Sequence, residues 1–330
     1  MSSATLTVVR NFLAGPYIDR RAESREAPDW REAALADPGT LFLLARGTAH
    51  PIGGPVGGPI DGDAPQVAFV HADHPAVRSA PLESWVLLGW YHDARCVLVQ
   101  LGDDAPPPPG ARFEELRPLA AMLDGEQAGL LAYARALTYW QHRHRHCGVC
   151  GARCEPQRAG HVMRCRDPGC ATEFFPRIDP AVIVLVSDGE RALLGRQASW
   201  PAGRYSTVAG FVEPGESLED AITREVLEET GVAVRDPRYH SSQPWPFPSS
   251  LMLGFTATAD RGATPQRSTE LEDARWFSRA QIAGGEILLP PPTSISHRLI
   301  AEWFDADWPE PLAAITSRST SWVSRGAGAR

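Results

Sequence analysis

The chain has 330 residues, 43% of them hydrophobic and 22% charged, and a formal charge of -8 at neutral pH. That length allows two or three domains with a sizeable core, and the acidic balance argues against broad, nonspecific binding to nucleic acid or anionic membrane. No apolar run reaches the roughly 18 residues of a membrane span, and the opening MSSATLTVVRNFLAGPY lacks the basic start and apolar stretch of a signal peptide, so the expected compartment is the cytoplasm.

Residues 1–142 read as an α/β domain. Its strand-like runs are Leu41 to Gly47, Gln66 to Ala72 and Ser84 to Gly102, the last a hairpin turning at His92 and Asp93. Two Pro/Gly-rich stretches, PIGGPVGGPIDGDAP and DDAPPPPGA, read as loops. A helix is expected from about Asp124 to His142, with Leu130, Leu131, Ala134, Leu137 and Trp140 on one side. No catalytic constellation stands out, which suits packing or dimerisation better than a share in substrate binding.

Residues 143–174 hold five of the six cysteines. The spacing is Cys147-x2-Cys150, fourteen residues, then Cys165-x4-Cys170. Two Gly-containing turns each carry two thiols, and four thiolates suit one tetrahedral zinc with no open position, hence a structural ion. Cys154 is spare; His142, His144 and His146 could substitute as ligands but read better as a solvated basic-aromatic edge. A module this small builds no core alone, so metal binding would be its folding energy. Zinc ribbons also bind nucleic acid, which keeps that role open.

Residues 175–330 alternate strands with two helical patterns. AVIVLVSD and RALLGRQ form a hairpin, YSTVAGF, LMLGFTATA and ARWFS are further strands, and the helices run over Leu218–Thr230 and about Ser294 to Phe304. The pattern is α+β, a mixed sheet with helices packed on it. Ser217 can cap the first helix with Asp220 as its capping-box acid, and Gly231 ends it. On that helix Glu225, Glu228 and Glu229 share an arc of about 100° that overlaps Leu218, Ala221 and Ile222. Arg224 is its only base. A solvated charged face would intersperse lysines; clustered, half-buried carboxylates need a counter-charge, and Mg2+ or Mn2+ with oxygen ligands supplies it.

The stretch from Gly210 to Val232 resembles the Nudix box, G-x5-E-x7-R-E-U-x-E-E-x-G-U with U aliphatic, matched at Gly210, Glu216, Arg224, Glu225, Val226, Glu228, Glu229, Gly231 and Val232. A chance match is on the order of one in ten million. Ten residues on, SQPWPFPSS (Ser242 to Ser250) reads as a rigid aromatic loop able to stack on a planar base. It resembles the S-Q-P-W-P-F-P-x-S motif of the NADH pyrophosphatase family of Nudix hydrolases. FFPRIDPAVIVLV, ELEDARWF and LLPPPTSISHRLI are similar to other segments of that family, and nearly the whole chain fits its layout. The second cysteine pair departs from it, with four intervening residues instead of two.

The resemblance implies a C-terminal Nudix fold, a small zinc ribbon and an N-terminal α/β domain for which a Nudix-like fold is one reading. It implies hydrolysis of NADH or NAD+ to nicotinamide mononucleotide and AMP by two or three Mg2+ or Mn2+ ions, and removal of NAD caps from RNA 5′ ends. The implied metal ligands are the Ala209 carbonyl, Glu225, Glu229, Glu270 and, as an auxiliary ligand or base, Glu228. Arg224 would hold the box carboxylates, with Glu216 as its partner. The implied substrate contacts are Phe175, Gln243, Pro244, Trp245, Pro246, Phe247, Pro248, Ser249, Ser250 and Ser296, the last a Ser where the family commonly has Ala. A homodimer is implied as well. No Rossmann glycine fingerprint is evident, so the nicotinamide redox chemistry is a spectator. Two competitors stand: a Nudix hydrolase of ADP-ribose or dinucleoside polyphosphates, which the aromatic loop opposes, and an inactive zinc-ribbon sensor of NAD or RNA, which the intact carboxylate set opposes.

Overall fold

Alternating apolar runs pair into sheets on both sides of the cysteine-rich segment. The computed structural model describes residues 10–54 and 64–318; residues 55–63 of the first Pro/Gly-rich stretch and residues 1–9 of the opening segment lie outside the described residues. The described residues fall into two compact units: an N-terminal unit of 13–54, 64–178 and 245–249, and a C-terminal unit of 10–12, 179–244 and 250–318.

The N-terminal unit runs β1 (Ile18–Asp19), α1 (Trp30–Ala36), β2 (Leu41–Arg46), β3 (His50–Gly53), β4 (Gln66–Val67), α2 (Pro75–Ser79), β5 (Trp85–Tyr91), β6 (Ala94–Leu101), β7 (Ala111–Glu114), α3 (Leu116–Leu119) and α4 (Gly125–Arg143). One sheet has the order β1-β5-β6-β2, with β2 parallel to β6; β4-β3-β7 form another. His92 and Asp93 do make the hairpin turn, with φ of 47° and 63°, the two left-handed residues that a two-residue turn of this twist requires. Phe42, Leu44, Trp85, Leu87, Val97 and Val99 fill the core. Pro51 to Gly53, expected as loop, belong to β3 instead: the antiparallel partners β4 and β7 supply ladder bonds that turn residues would not predict.

The cysteine-rich segment adds β8 (Cys154–Gln157), β9 (Val162–Cys165) and β10 (Glu173–Phe174), in the order β10-β9-β8. It leans on the N-terminal sheet. Ala159 joins that core, Gln141 Nε2 donates to the Gly160 carbonyl at 2.6 Å, and His161 Nε2 bonds the Leu87 carbonyl at 2.8 Å.

The C-terminal unit runs β11 (Asp179–Ser187), β12 (Arg191–Arg196), β13 (Val208–Phe211), α5 (Leu218–Thr230), β14 (Val234–Trp245), β15 (Ser250–Ala259), β16 (Asp273–Ser278), α6 (Arg279–Ala283), α7 (Ile295–Ala306) and α8 (Leu312–Arg318). Its sheet order is β14-β15-β11-β12-β16, with β13 paired to β11 and β11 parallel to β15. β11 is apolar on both faces. Val182, Val184 and Val186 meet Ala221, Ile222 and Val226 of α5, while Ile183 and Leu185 share a core with Ile295, Leu299, Ile300 and Phe304 of α7. A period of two along the strand thus sorts its side chains to a helix on either side. β14 was not anticipated as a strand. It carries Pro237 and Pro244 and has no clean alternation, which an edge strand tolerates because one side of its backbone needs no partner.

Candidate metal-dependent active site and zinc centre

α5 begins where the sequence expects. The Ser217 hydroxyl accepts from the Asp220 N–H at 3.1 Å, Asp220 returns the bond to Ser217, and Gly231 closes the helix at φ 69°. These caps fix the helix register, and the register sets which carboxylates turn inward. Glu225 is 9% exposed and Glu229 only 6%, whereas the Glu228 side chain is 59% exposed.

Arg224 sits at the centre of the box. A guanidinium has five N–H donors, and all five are used. Nε and one Nη2 hydrogen grip Glu216 at 2.6 and 2.9 Å, Nη1 serves Glu225 at 2.9 Å and Glu228 at 3.1 Å, and Nη2 also reaches the Phe211 carbonyl at 2.9 Å. The Arg224 fork holds the Glu216 carboxyl down at about 2, and Arg224 itself is pushed further up by Glu216. Gly210, on β13, makes room for the inward carboxylate: a Cβ there would overlap the Glu225 carboxyl group.

Glu229 is left over. Among the described residues it has no hydrogen bond and no salt bridge. Burial, and then the charges of Glu225, Glu270 and Glu228, push it up to about 8. Burial also raises Glu225, against the pull of Arg224. A buried carboxylate facing three others fits a hard divalent cation, and the donor set here is all oxygen. The four carboxylates do not draw together on their own. Among the described residues the only group of three or more His, Cys, Asp or Glu side chains placed to share one metal ion is Cys147, Cys150, Cys165 and Cys170, whose sulfurs lie within 4.8 Å of one another. Arg224 engages two of the four, Glu225 and Glu228.

The thiol cluster matches the ribbon expectation. Cys147 Sγ lies 3.7 Å from Cys170 Sγ, and Cys150 Sγ lies 3.4 Å from Cys165 Sγ. A tetrahedron with arms of about 2.3 Å has edges of about 3.8 Å, so the four sulfurs fit one zinc. Cys154 stays out of the cluster, and His144 packs against Trp140 and Phe174 instead. The four-residue spacing between Cys165 and Cys170 leaves both sulfurs in place.

The expected substrate residues separate by environment. Phe175 is 60% exposed. Trp245 and Phe247 are half-buried and meet edge to face, ring centroids 5.2 Å apart, and Pro246 is buried. Gln243 has no exposed surface. Its amide donates to the carbonyls of Phe12 at 2.9 Å and Thr293 at 2.8 Å, and its oxygen accepts from Ile295 N at 2.8 Å. Its side chain therefore fixes the backbone before α7. Ser296 is buried too, bonded to the hydroxyls of Ser206 and Thr207, each at 2.8 Å. Ser242 to Trp245 end strand β14, so the loop proper is shorter than the motif. Residue types alone did not reveal the Phe211 carbonyl, the fourth group that Arg224 binds.

Three family models match successive stretches of the chain. Residues 177–304 match the NUDIX domain, residues 33–140 the NADH pyrophosphatase-like rudimentary NUDIX domain, and residues 142–175 the NADH pyrophosphatase zinc ribbon domain. The NAD-capped RNA hydrolase NUDT12 of Macaca fascicularis is 31% identical over 89% of this chain and 73% of its own length. The NAD-capped RNA hydrolase NudC of Stutzerimonas stutzeri is 43% identical over 58% of this chain and 67% of its own. Among solved structures, a NUDIX hydrolase from Nitrosomonas europaea aligns with a TM-score of 0.41 and 22% identity, covering 49% of this chain and 92% of that one.

Proposed function

The chain belongs to the NADH pyrophosphatase family of Nudix hydrolases, and we propose that it hydrolyses the diphosphate bond of NADH and NAD+, giving nicotinamide mononucleotide, reduced or oxidised, and AMP. The same bond cut at the 5′ end of an NAD-capped RNA releases nicotinamide mononucleotide and leaves a 5′-phosphorylated RNA. The observation that carries this reading is Glu229, buried without a partner beside a Glu225 that Arg224 engages through one oxygen.

Glu225, Glu229, Glu270, the Ala209 carbonyl and, from its exposed position, Glu228 would hold Mg2+ or Mn2+. When bound, such ions neutralise the diphosphate and activate water. The chain's own work is to keep these ligands in place. Glu216 is ionised throughout the neutral range and so keeps its charge for Arg224, which holds its carboxyl down at about 2. Arg224 in turn fixes one oxygen each of Glu225 and Glu228. Glu229 must lose its proton to ligate, so metal binding at this position strengthens as pH rises toward 8. Trp245 and Phe247 would stack on a base, with Phe175 a second stacking surface, and Gln243 and Ser296 act from the interior as supports.

One zinc in the four-thiolate site holds the ribbon. A homodimer in the cytoplasm completes the proposal; no helix among the described residues is long and apolar enough to cross a membrane. The deciding experiment incubates the protein with NADH, NAD+, NAD-capped RNA and ADP-ribose, each with Mg2+ or Mn2+, and identifies the products. Nicotinamide mononucleotide from the first three supports the reading; turnover of ADP-ribose alone overturns it.

A further inference from the structure

Residues Trp245–Ser249 carry the aromatic part of the substrate motif, yet they group with the N-terminal unit. The segment WPFPS holds two prolines, so only Trp245, Phe247 and Ser249 keep an N–H. One of these is spent internally, Phe247 N on the Trp245 carbonyl at 2.8 Å. A loop so poor in donors cannot build its own ladder and must be held through its carbonyls and rings.

Arg135 of α4 does both. Its Nη1 donates to the Pro246 carbonyl, and its guanidinium carbon lies 5.0 Å from the centre of the Phe247 ring. Arg117 of α3 lies 5.8 Å from the same ring. The Arg135 side chain is only 14% exposed, so the contact is weakly screened. Its fork is oriented from behind: Glu115 Oε2 lies 3.4 Å from Arg135 Nε, and Glu115 Oε1 accepts the Thr48 hydroxyl at 2.6 Å. Nearby His50 is fully buried and pushed down to about 3, by burial and then by the Arg135 charge, so it stays neutral and adds no competing cation.

We propose that Arg135 is a positioning residue for substrate: it clamps the Pro246 carbonyl and the Phe247 ring, so that a helix of the N-terminal unit sets how well NADH is bound. This rests on the reading of Trp245–Phe247 as the base-stacking loop. It gives the N-terminal unit a part in recognition beyond packing or dimerisation.

The test uses the full-length protein with Arg135→Met, which keeps the aliphatic stem without the charge and donors, and Arg135→Lys, which keeps the charge without the fork. Hydrogen exchange is followed at the Phe247 and Ser249 amides, and NADH kinetics are measured in parallel. Arg135→Met should speed exchange in this loop about tenfold, the worth of one lost charge-assisted bond. KM should rise by about the same factor while kcat stays within about twofold, the signature of lost uniform binding. Arg135→Lys should recover part of both. Glu115→Gln, which loosens the fork without removing it, should show the same split more weakly and serves if Arg135→Met does not fold. Unchanged exchange overturns the clamp. Faster exchange with unchanged KM leaves the clamp standing and sinks the substrate role of the loop. A wild-type protein inert toward NADH overturns the proposed function, and the exchange measurement still decides the clamp.

Discussion

Helices α4 and α5 both begin at a capped N-terminus and both press one face on a sheet or its neighbours, but they fill that face differently. Asp124 caps α4 through the N–H groups of Glu126 and Gln127, and the helix buries Ala128, Leu130, Leu131, Ala134, Leu137 and Trp140. α5 buries Ala221, Ile222 and Val226 and, among them, Glu225 and Glu229. Apolar burial stabilises by about 25 cal/mol per Å2, whereas an unpaired buried carboxylate costs free energy until it is protonated or paired. The first helix therefore invests in stability. The second gives up stability for ligands, a pattern expected at functional sites.

The contrast is most severely tested at Glu229. Glu229→Gln keeps the volume and removes the charge, and should lower NADH turnover by roughly two to four orders of magnitude at saturating Mg2+ or Mn2+. In chelator near neutral pH the same variant should melt within about 1 kcal/mol of wild type, because the metal-free Glu229 carboxyl, pushed up to about 8, is already mostly protonated and the amide keeps its volume. Turnover near the wild-type value would end the assignment of α5 as the catalytic metal helix. The counterpart on α4 is Leu130→Ala, expected to cost about 2–5 kcal/mol of stability in denaturant melts while kcat per folded molecule stays within about twofold. If the two variants trade their effects, the distinction between the helices fails.

A smaller effect is expected at Gly210. Its Cβ would overlap the Glu225 carboxyl group, so Gly210→Ala should cost about 1–3 kcal/mol by overpacking and depress kcat with it. Stability lost at full turnover would show that the Glu225 position is not needed. The gentlest probe is acid. His50 and His161 are buried and pushed down from 6.5 to about 3 and about 4, in both cases chiefly by burial. The unfolded chain takes up protons on them below about 6.5 and the folded chain does not. Their contribution is thus complete above pH 6.5 and is lost as pH falls toward the folded values. Each adds a slope of up to about 1.4 kcal/mol per pH unit in that window. His50→Phe, followed by urea melts between pH 7 and 4.5, should flatten the dependence by one such slope; an unchanged slope would mean that the buried imidazole titrates normally.

Much of the molecule is legible in local pattern. The helix Leu218–Thr230 and its caps, the hairpin at His92 and Asp93, the doubly buried run of β11 and the four zinc thiols follow from neighbours within a few residues, and such spacings fix which side chains can share a face. β14 escaped because an edge strand is made by its partner and not by its own alternation. The parallel pairings of β2 with β6 and of β11 with β15 join segments too distant in sequence for any local period to record. Within the site, spacing along α5 named Glu225, Glu228, Glu229 and Arg224, because a helical face is local, whereas Glu216 and Glu270 came from the family resemblance. Only packing decided that Arg224 spends all five donors, that Glu229 is left without a partner and that Gln243 turns inward. Burial and hydrogen-bond competition belong to the assembled chain: the same glutamate is a solvated charge or a metal ligand according to what surrounds it.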